Sequence, residues 1–331
     1  MHFTLIVCTY MRPKPLLKLL QSVLKQTLYP NDILIIDGST NEKTEAILKE
    51  NIFSNLRYFK VDETERGLTK QRNFGISKIA EESEIICFLD DDIVLEPAYF
   101  ENLIKTYSEK PDALAVGGYI TNEVTWEASD DRNHPSTFYY DGWMRNESLR
   151  FRLRKLFGLQ PDMPPGFLPT FGNARPISYL PPSNKIYAVE FFMGGVSSYR
   201  RDLFNKIKFS NYFAGYGLYE DLDFCLRVAN IGTLYLNTKA RLKHFHEAHG
   251  RPNQYKYGIM VVRNGWYVWK LKYPNAELIS KLKFHFTFML LTAICFTNSF
   301  YGTNKKKSFM ETLGRFVGWF SLFFNKPKIQ P

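Results

Sequence analysis

Short apolar runs and helical periodicity alternate through the first 120 residues. Residues 3–8 form a six-residue apolar run that reads as a buried strand. Pro13 then opens a helix whose positions Leu16, Leu20, Val23 and Leu24 fall on one face. Residues 32–36 read as a second strand ending in Asp37-Gly38-Ser39-Thr40, followed by a polar helix over 42–50 and a third strand over 56–61. A helix over 69–80, a fourth strand over 85–89, a helix over 97–107 and a strand over 113–120 continue the rhythm. Strands and helices in alternation predict an α/β fold with a mostly parallel sheet.

Residues 127–187 break that rhythm. Pro135, Pro161, Pro164, Pro165, Pro169, Pro176, Pro181 and Pro182 crowd a stretch rich in Tyr and Phe that contains Trp143, the pattern of a functional insertion. Regular structure is expected again over 187–193, in a helix after Arg201, in a helix over 220–231 and in a short strand near 234–236. The pattern divides the chain into an α/β domain over 1–251, with 127–187 as its insertion, and a helical tail over 252–331.

Composition sharpens this division. Of the 331 residues 45% are hydrophobic, enough for a sizeable core, which excludes a disordered chain. The net charge of +10 lies after residue 251, where 12 Lys and Arg face only Glu277 and Glu311. The main domain is balanced, which speaks against a nucleic-acid binder. Cys8, Cys87, Cys225 and Cys295 form no C-x-x-C pair, so neither a disulfide scaffold nor a zinc ribbon is expected. The first apolar run is too short and lacks the basic flank of a signal peptide, so the body of the protein is expected in the cytoplasm.

The tail has its own pattern. Residues 284–304 contain no Lys, Arg, Asp or Glu, yet Thr287, Thr292, Thr297, Asn298 and Ser299 make them a poor spanning helix. Lys281 and Lys283 precede this run, Lys305-Lys306-Lys307 follow it, and a second aromatic stretch over 316–324 lies between Arg315 and Lys326. Aromatic rings beside basic residues suit a helix in the headgroup layer of an anionic leaflet. The expected location is peripheral, on the cytosolic face of the inner (plasma) membrane, with a packed core helix pair or a span as the alternatives.

Candidate chemistry clusters at the carboxyl ends of the expected strands, where open α/β sheets bind ligands. Thr9-Tyr10 follows the first strand, Asp37 the second and Asp90-Asp91-Asp92 the fourth. Three adjacent carboxylates repel one another unless a cation or protons offset them. In an extended segment Asp90 and Asp92 share a side, so both could serve one Mg²⁺ or Mn²⁺ bridging a diphosphate. The turn Thr9-Tyr10-Met11-Arg12-Pro13 is neither a P-loop nor a Rossmann glycine turn. Glu220 and Asp221 open a later helix, where acids commonly complement the helix dipole and where one could instead act as a general base. His244, His246 and His249 lie within six residues, and His246-Glu247-Ala248-His249 is one residue short of the zincin spacing.

Six fragments in order carry a resemblance: Val7–Pro13, Ile36–Thr40, Gly67–Ile76, Phe88–Asp92, Met193-Gly194-Gly195 and Tyr219–Arg227. In that order they resemble the family 2 glycosyltransferases, inverting enzymes of the GT-A fold that use nucleotide-diphosphate sugars, over about residues 2–251. The resemblance implies that Thr9, Tyr10 and Asp37 hold the base and ribose of a UDP- or dTDP-type donor, with Arg12, Lys70, Arg72, Asn73, Asp90 and Asp91 helping to seat it. It implies Asp90 and Asp92 as ligands of a divalent cation, Mn²⁺ or Mg²⁺, with His244, or His246 in its place, completing the set. Asp221 is then the base, with Glu220 beside it, and Gly194, Gly195 and Trp143 lie on the side of a glycan or lipid-linked acceptor. The single Asp37, where many members carry two acids, leaves the nucleotide open. Two rival readings are a sugar-nucleotide pyrophosphorylase, whose Gly- and Arg-rich first loop is missing here, and an inactive scaffold adapted as a membrane-surface adaptor.

Overall fold

The computed structural model describes residues 1–129, 136–246 and 252–330. Pro135 and the 247–249 part of the histidine-rich segment lie outside the described residues. The first elements are β1 (Phe3–Thr9), α1 (Pro13–Val23), β2 (Asp32–Asp37), α2 (Lys43–Lys49), β3 (Leu56–Lys60), α3 (Leu68–Ile76) and β4 (Ile85–Asp90). Next come β5 (Ile93–Leu95), α4 (Tyr99–Glu109), β6 (Ala113–Ile120), β7 (Glu127–Ala128), β8 (Thr137–Tyr140), β9 (Trp143–Asn146) and α5 (Leu149–Leu156). The chain continues with β10 (Ile186–Val189), β11 (Val196–Arg200), α6 (Glu220–Ala229) and β12 (Thr233–His244). It closes with α7 (Gln254–Lys272), α8 (Leu278–Tyr301) and α9 (Lys305–Phe324).

These elements form two compact units, Met1–Thr125 with Pro181–Arg251 and Trp126–Leu180 with Pro252–Pro331. The stretch drawn from sequence as an insertion of the α/β domain thus groups, over most of its length, with the tail.

The first unit is built on one sheet in the order β10-β12-β6-β11-β4-β1-β2-β3. Strands β3, β2, β1 and β4 run parallel, whereas β11 lies antiparallel between β4 and β6. The chain winds outward from β1 to β3 and returns on the other side of β1 as β4. That reversal opens a crevice at the carboxyl ends of β1 and β4, where such sheets bind ligands. Both strands are almost wholly buried because helices cover the sheet. Leu16, Leu19 and Leu20 of α1 join Phe100 and Leu103 of α4 in one core. Leu24, expected on the buried face of α1, falls past the helix end and is exposed, and Leu19 takes that role.

Strand β12 corrects the sequence reading, which placed only a short strand near 234–236. It runs for 12 residues, with register shifts that interrupt its pairing with β6. Buried Asn237 and Thr238 hide the apolar alternation, and their side chains donate to Thr106 Oγ1 and to the Lys185 carbonyl. The length matters because it delivers His244 opposite Ile93, just beyond the aspartates.

The second unit combines the small antiparallel sheet β7-β9-β8 with α5 and the three long helices. Tyr273 and Lys272 both donate to the Leu168 carbonyl, and Trp269 donates to that of Thr170. Helices α7 and α9 meet backbone to backbone at glycines. A Cβ on Gly314 would lie 2.0 Å from the Tyr255 carbonyl oxygen, and one on Gly258 would lie 2.2 Å from that of Glu311. In α8, Thr287 and Thr292 are buried. The exposed positions Ile279, Leu282, Phe286, Met289, Phe296 and Phe300 form an apolar stripe at spacings of three, four and seven residues. Phe309, Leu313, Phe316, Phe320 and Phe323 repeat that stripe on α9. By length and composition α8 is long and apolar enough to cross a membrane, with a mean hydropathy of 1.4.

Candidate active site

Sheet register brings the strand-end clusters together, because Thr9 pairs with Asp37 and Cys8 with Asp90. Asp37 is fully buried and accepts hydrogen bonds from the Ser39 N–H at 2.8 Å and the Tyr58 hydroxyl at 2.9 Å. Tyr58, on β3, had no signal in the sequence. The Thr9 hydroxyl donates to Asp91 Oδ2 at 2.6 Å, so it orients an acid of the triple aspartate. Gln71, also unanticipated, ties β1 to β2 by donating to the carbonyls of Thr9 and Ile36. Of the residues expected around a nucleotide, Tyr10 is the most open, at 38% exposure, with the Arg66 guanidinium 6.0 Å from its ring centre. Lys70 donates to the Thr64 carbonyl on the exposed side of α3.

The three aspartates differ in environment. Asp91 is buried, and burial pushes its carboxyl up to about 7 while Arg12 and Thr9 pull the other way. Arg12 reaches Asp91 at 3.0 Å and Asp92 at 3.5 Å, so its guanidinium lies on the acids. Asp90 stays half-buried, 3.7 Å from Arg72. Asp92 Oδ1 lies 3.0 Å from His244 Nε2, while His244 Nδ1 faces Glu123 at 3.6 Å. Burial works against the imidazolium of His244, but Asp92, Glu123 and Asp90 outweigh it and raise its pKa to about 9.

Asp90, Asp92 and His244 each present a ligand atom, all within 4.8 Å of one another. Two carboxylates and one imidazole are a donor set suited to Mn²⁺ and acceptable to Mg²⁺, so these residues fit a divalent cation. His246 is half-exposed and its Nε2 lies 2.8 Å from Glu123 Oε1, in a separate group that shares only His244. Of the two histidines it is therefore His244 that joins the aspartates.

Across the same crevice lies a second acidic pair. The left-handed Tyr219, preceded by Gly215 and Gly217 at positive φ, turns the chain sharply into α6 and sets Glu220 and Asp221 in its first turn. Glu220 is buried and its Oε1 lies 2.5 Å from Arg72 Nη1. Arg72 in turn is packed between the rings of Phe88 and Phe209, 5.5 and 5.2 Å from their centres. Burial pushes the Glu220 carboxyl up to about 8, with Arg72 pulling it back. Asp221 is less buried. It accepts from the Gly194 N–H at 3.3 Å and the Leu222 N–H at 2.8 Å, and burial raises its pKa. Asp223 forms a buried ion pair with Arg227 within α6. Asn73 uses both ends of its amide on the backbone of Phe209.

Gly194 and Gly195 join the two acidic groups. A Cβ on Gly195 would lie 2.1 Å from the Asp90 carboxyl carbon, and one on Gly194 would lie 2.6 Å from both Arg72 Nη1 and Glu220 Oε1. Only a residue without Cβ lets the backbone approach these side chains so closely. Trp143 belongs to the second unit, half-buried on β9 and paired with Tyr140.

The family model for glycosyl transferase family 2 matches residues 4–207. The chain is 28% identical over 144 residues to a glucosyl-dolichyl phosphate glucuronosyltransferase of Haloferax volcanii, covering 42% of this chain and 44% of that protein. It is 24% identical over 140 residues to the O-antigen chain rhamnosyltransferase RfbN of Salmonella typhimurium, covering 42% and 43%. Each match thus spans less than half of the relative. Among solved structures, GalNAc-T7 with UDP, GalNAc and Mn²⁺ aligns with a TM-score of 0.52 at 16% identity, covering 91% of this chain and 58% of that one. That likeness shows the fold, a mostly parallel GT-A sheet between helices.

Proposed function

The chain belongs to glycosyl transferase family 2, and from that premise we propose that it moves a sugar from a UDP- or dTDP-type nucleotide-diphosphate donor to a hydroxyl of a glycan or lipid-linked acceptor, with inversion. The observation that carries this reading is the pairing, through Gly194-Gly195, of a cation-type group with a separate acid. Asp90, Asp92 and His244 stand on one side, and Asp221 stands on the other.

Asp90, Asp92 and His244 would hold Mn²⁺ or Mg²⁺. When bound, such a cation stabilises the negative charge that develops on a departing diphosphate. The chain's own residues do the rest. Thr9 and Arg12 fix Asp91, and Arg12 also steadies Asp92, so the strand-end acids keep one arrangement. Tyr10 is open enough to meet a nucleobase. Arg72, held by Glu220 and two rings, places positive charge beside Asp90. Asp221, aimed by the Gly194 N–H, takes the proton of the acceptor hydroxyl as the new bond forms, and its raised pKa suits a general base. A single displacement of this kind needs no covalent intermediate on the protein.

The relatives named for dolichyl-phosphate and O-antigen substrates support an acceptor of the glycan or lipid-linked class. The apolar stripes of α8 and α9, next to Lys281, Lys283 and Lys305-Lys306-Lys307, support peripheral attachment to an anionic membrane at its cytosolic face. The function is tested by incubating full-length protein and Mn²⁺ with a panel of nucleotide sugars and measuring release of nucleoside diphosphate. Release from one donor supports the reading, and release from none contradicts it.

A further inference from the structure

The proposed reaction uses Nε2 of His244 and leaves its other ring nitrogen without a role. Nδ1 is buried and has no hydrogen-bond partner among the described residues, and native structures rarely leave such an atom unused. The acid it faces is Glu123, whose Oε1 lies 3.6 Å away, just beyond hydrogen-bond reach. The same oxygen lies 2.8 Å from His246 Nε2, and the His246 ring centre lies 4.0 Å from that of His244. One carboxylate oxygen thus faces two imidazoles.

Strand register puts Glu123 there. β12 runs parallel to β6, with Leu242 opposite Ile120, so the residues after β6 pass beside the end of β12. Asn122 clamps the His244 backbone in both directions. Its Nδ2 donates to the His244 carbonyl at 2.8 Å, and the His244 N–H donates to its Oδ1 at 2.9 Å. The Phe245 N–H donates to the Asp92 carbonyl at 3.0 Å, which ties the same stretch to the aspartates. These bonds fix the backbone of His244, but neither the turn of its ring nor the nitrogen that carries its proton. An imidazole ligates a cation only through a bare nitrogen, and a carboxylate on the other N–H sets both tautomer and ring plane.

We propose that Glu123 is a positioning residue of this site: it accepts the Nδ1–H of His244, which leaves Nε2 bare and aimed at the aspartates, while His246 holds Glu123 from the far side. This role presupposes that Asp90, Asp92 and His244 hold a divalent cation, the reading proposed above. A separate cation on Glu123 and His246 fits the same atoms less well, since their 2.8 Å contact closes that pair on itself.

The test is binding of Mn²⁺ alone to full-length protein, followed by the electron paramagnetic resonance of the free ion, with Tm in EDTA as the measure of folding. Wild type should bind one Mn²⁺, and Asp92→Ala should lose it. Glu123→Ala should bind it about 10–100-fold more weakly, the usual cost of losing a carboxylate behind a histidine ligand. Glu123→Gln keeps an acceptor for the Nδ1–H and should recover part of that loss. A purely structural role would instead lower Tm in EDTA and leave the Mn²⁺ affinity of the folded protein unaltered. Wild-type affinity in Glu123→Ala, beside loss in Asp92→Ala, overturns the positioning role alone. Two bound Mn²⁺, one of them lost in Glu123→Ala, overturn it as well, because Glu123 is then a ligand. No binding by wild type, or undiminished binding by Asp92→Ala, overturns the cation reading and the positioning role with it.

Discussion

Gly195→Ala probes the placement of the strand-end acids without removing any of them. Its new Cβ would start 2.1 Å from the Asp90 carboxyl carbon, against ordinary contact at 3.4 Å and beyond. More than an ångström must be found, and neither backbone can supply it easily. The next residue, Val196, is in ladder register with Leu89, and the Gly195 carbonyl accepts from the Asp90 N–H at 3.1 Å. The Asp90 side chain, half-buried at the strand end, therefore has to move. Misplacing a reacting or ligating group by an ångström costs about 10²-fold in rate. Overpacking costs about 1–3 kcal/mol, and the low end applies where a half-exposed carboxylate can swing aside. The expected result is turnover reduced about 10²-fold, a raised Mn²⁺ half-saturation and a Tm lower by a few degrees. Gly232→Ala is the control, since its Cβ would crowd the Leu114 side chain at 2.6 Å and should lower Tm without altering the Mn²⁺ response. If Gly195→Ala keeps wild-type turnover and metal dependence, the close approach of Gly195 does not set the position of Asp90.

Other perturbations address separate contacts. Asp92→Ala should remove the Mn²⁺-dependent part of UDP affinity, and calorimetry that finds metal-assisted binding unchanged would reject Asp92 as a ligand. Glu220→Gln removes one of the two acids beside the buried Arg72, with Asp90 remaining 3.7 Å away, and is expected to lower the urea midpoint; an unchanged midpoint would show that the pair contributes little. Gly314→Ala drives a Cβ to within 2.0 Å of the Tyr255 carbonyl oxygen and should lower Tm by several degrees, whereas an unaltered melt would argue against close packing of α7 on α9. Full-length protein should sediment with anionic liposomes at low salt and be partly released at high salt, as screening weakens exposed charge attraction; protein left in the supernatant at low salt would contradict membrane attachment.

Much of this was legible in the sequence where one residue type has one physical use. Fully buried parallel strands announce themselves as apolar runs, and an Asp-x-Asp at a strand end stands out because like charges do not crowd without cause. The acids of α6 and the glycine pair were legible as motifs, but the reason for the glycines was not. It lies in the distance from their backbone to Asp90, Arg72 and Glu220, which no local pattern encodes. Tyr58 and Gln71 were silent for the same reason, since their partners are strand ends distant in sequence. Strand β12 is longer than its apolar pattern because buried Asn237 and Thr238 interrupt the alternation, and their side chains are satisfied by bonds to neighbouring elements distant in sequence. In α8, Thr287 and Thr292 count against a spanning helix in the sequence, yet both are buried and leave the outer stripe of Phe, Ile, Leu and Met intact.

The most direct test of the central claim joins the reaction to its base. The donor sugar found by the nucleotide-sugar panel is supplied to full-length protein with Mn²⁺ and a glycan or lipid-linked acceptor, and the anomeric configuration of the product is read by NMR. The same assay is run on Asp221→Asn. The expected result is a product of inverted configuration, formed at least about 10²-fold more slowly by the variant, with donor affinity retained. A product that keeps the donor's configuration, or an Asp221→Asn enzyme as fast as wild type, would contradict the account.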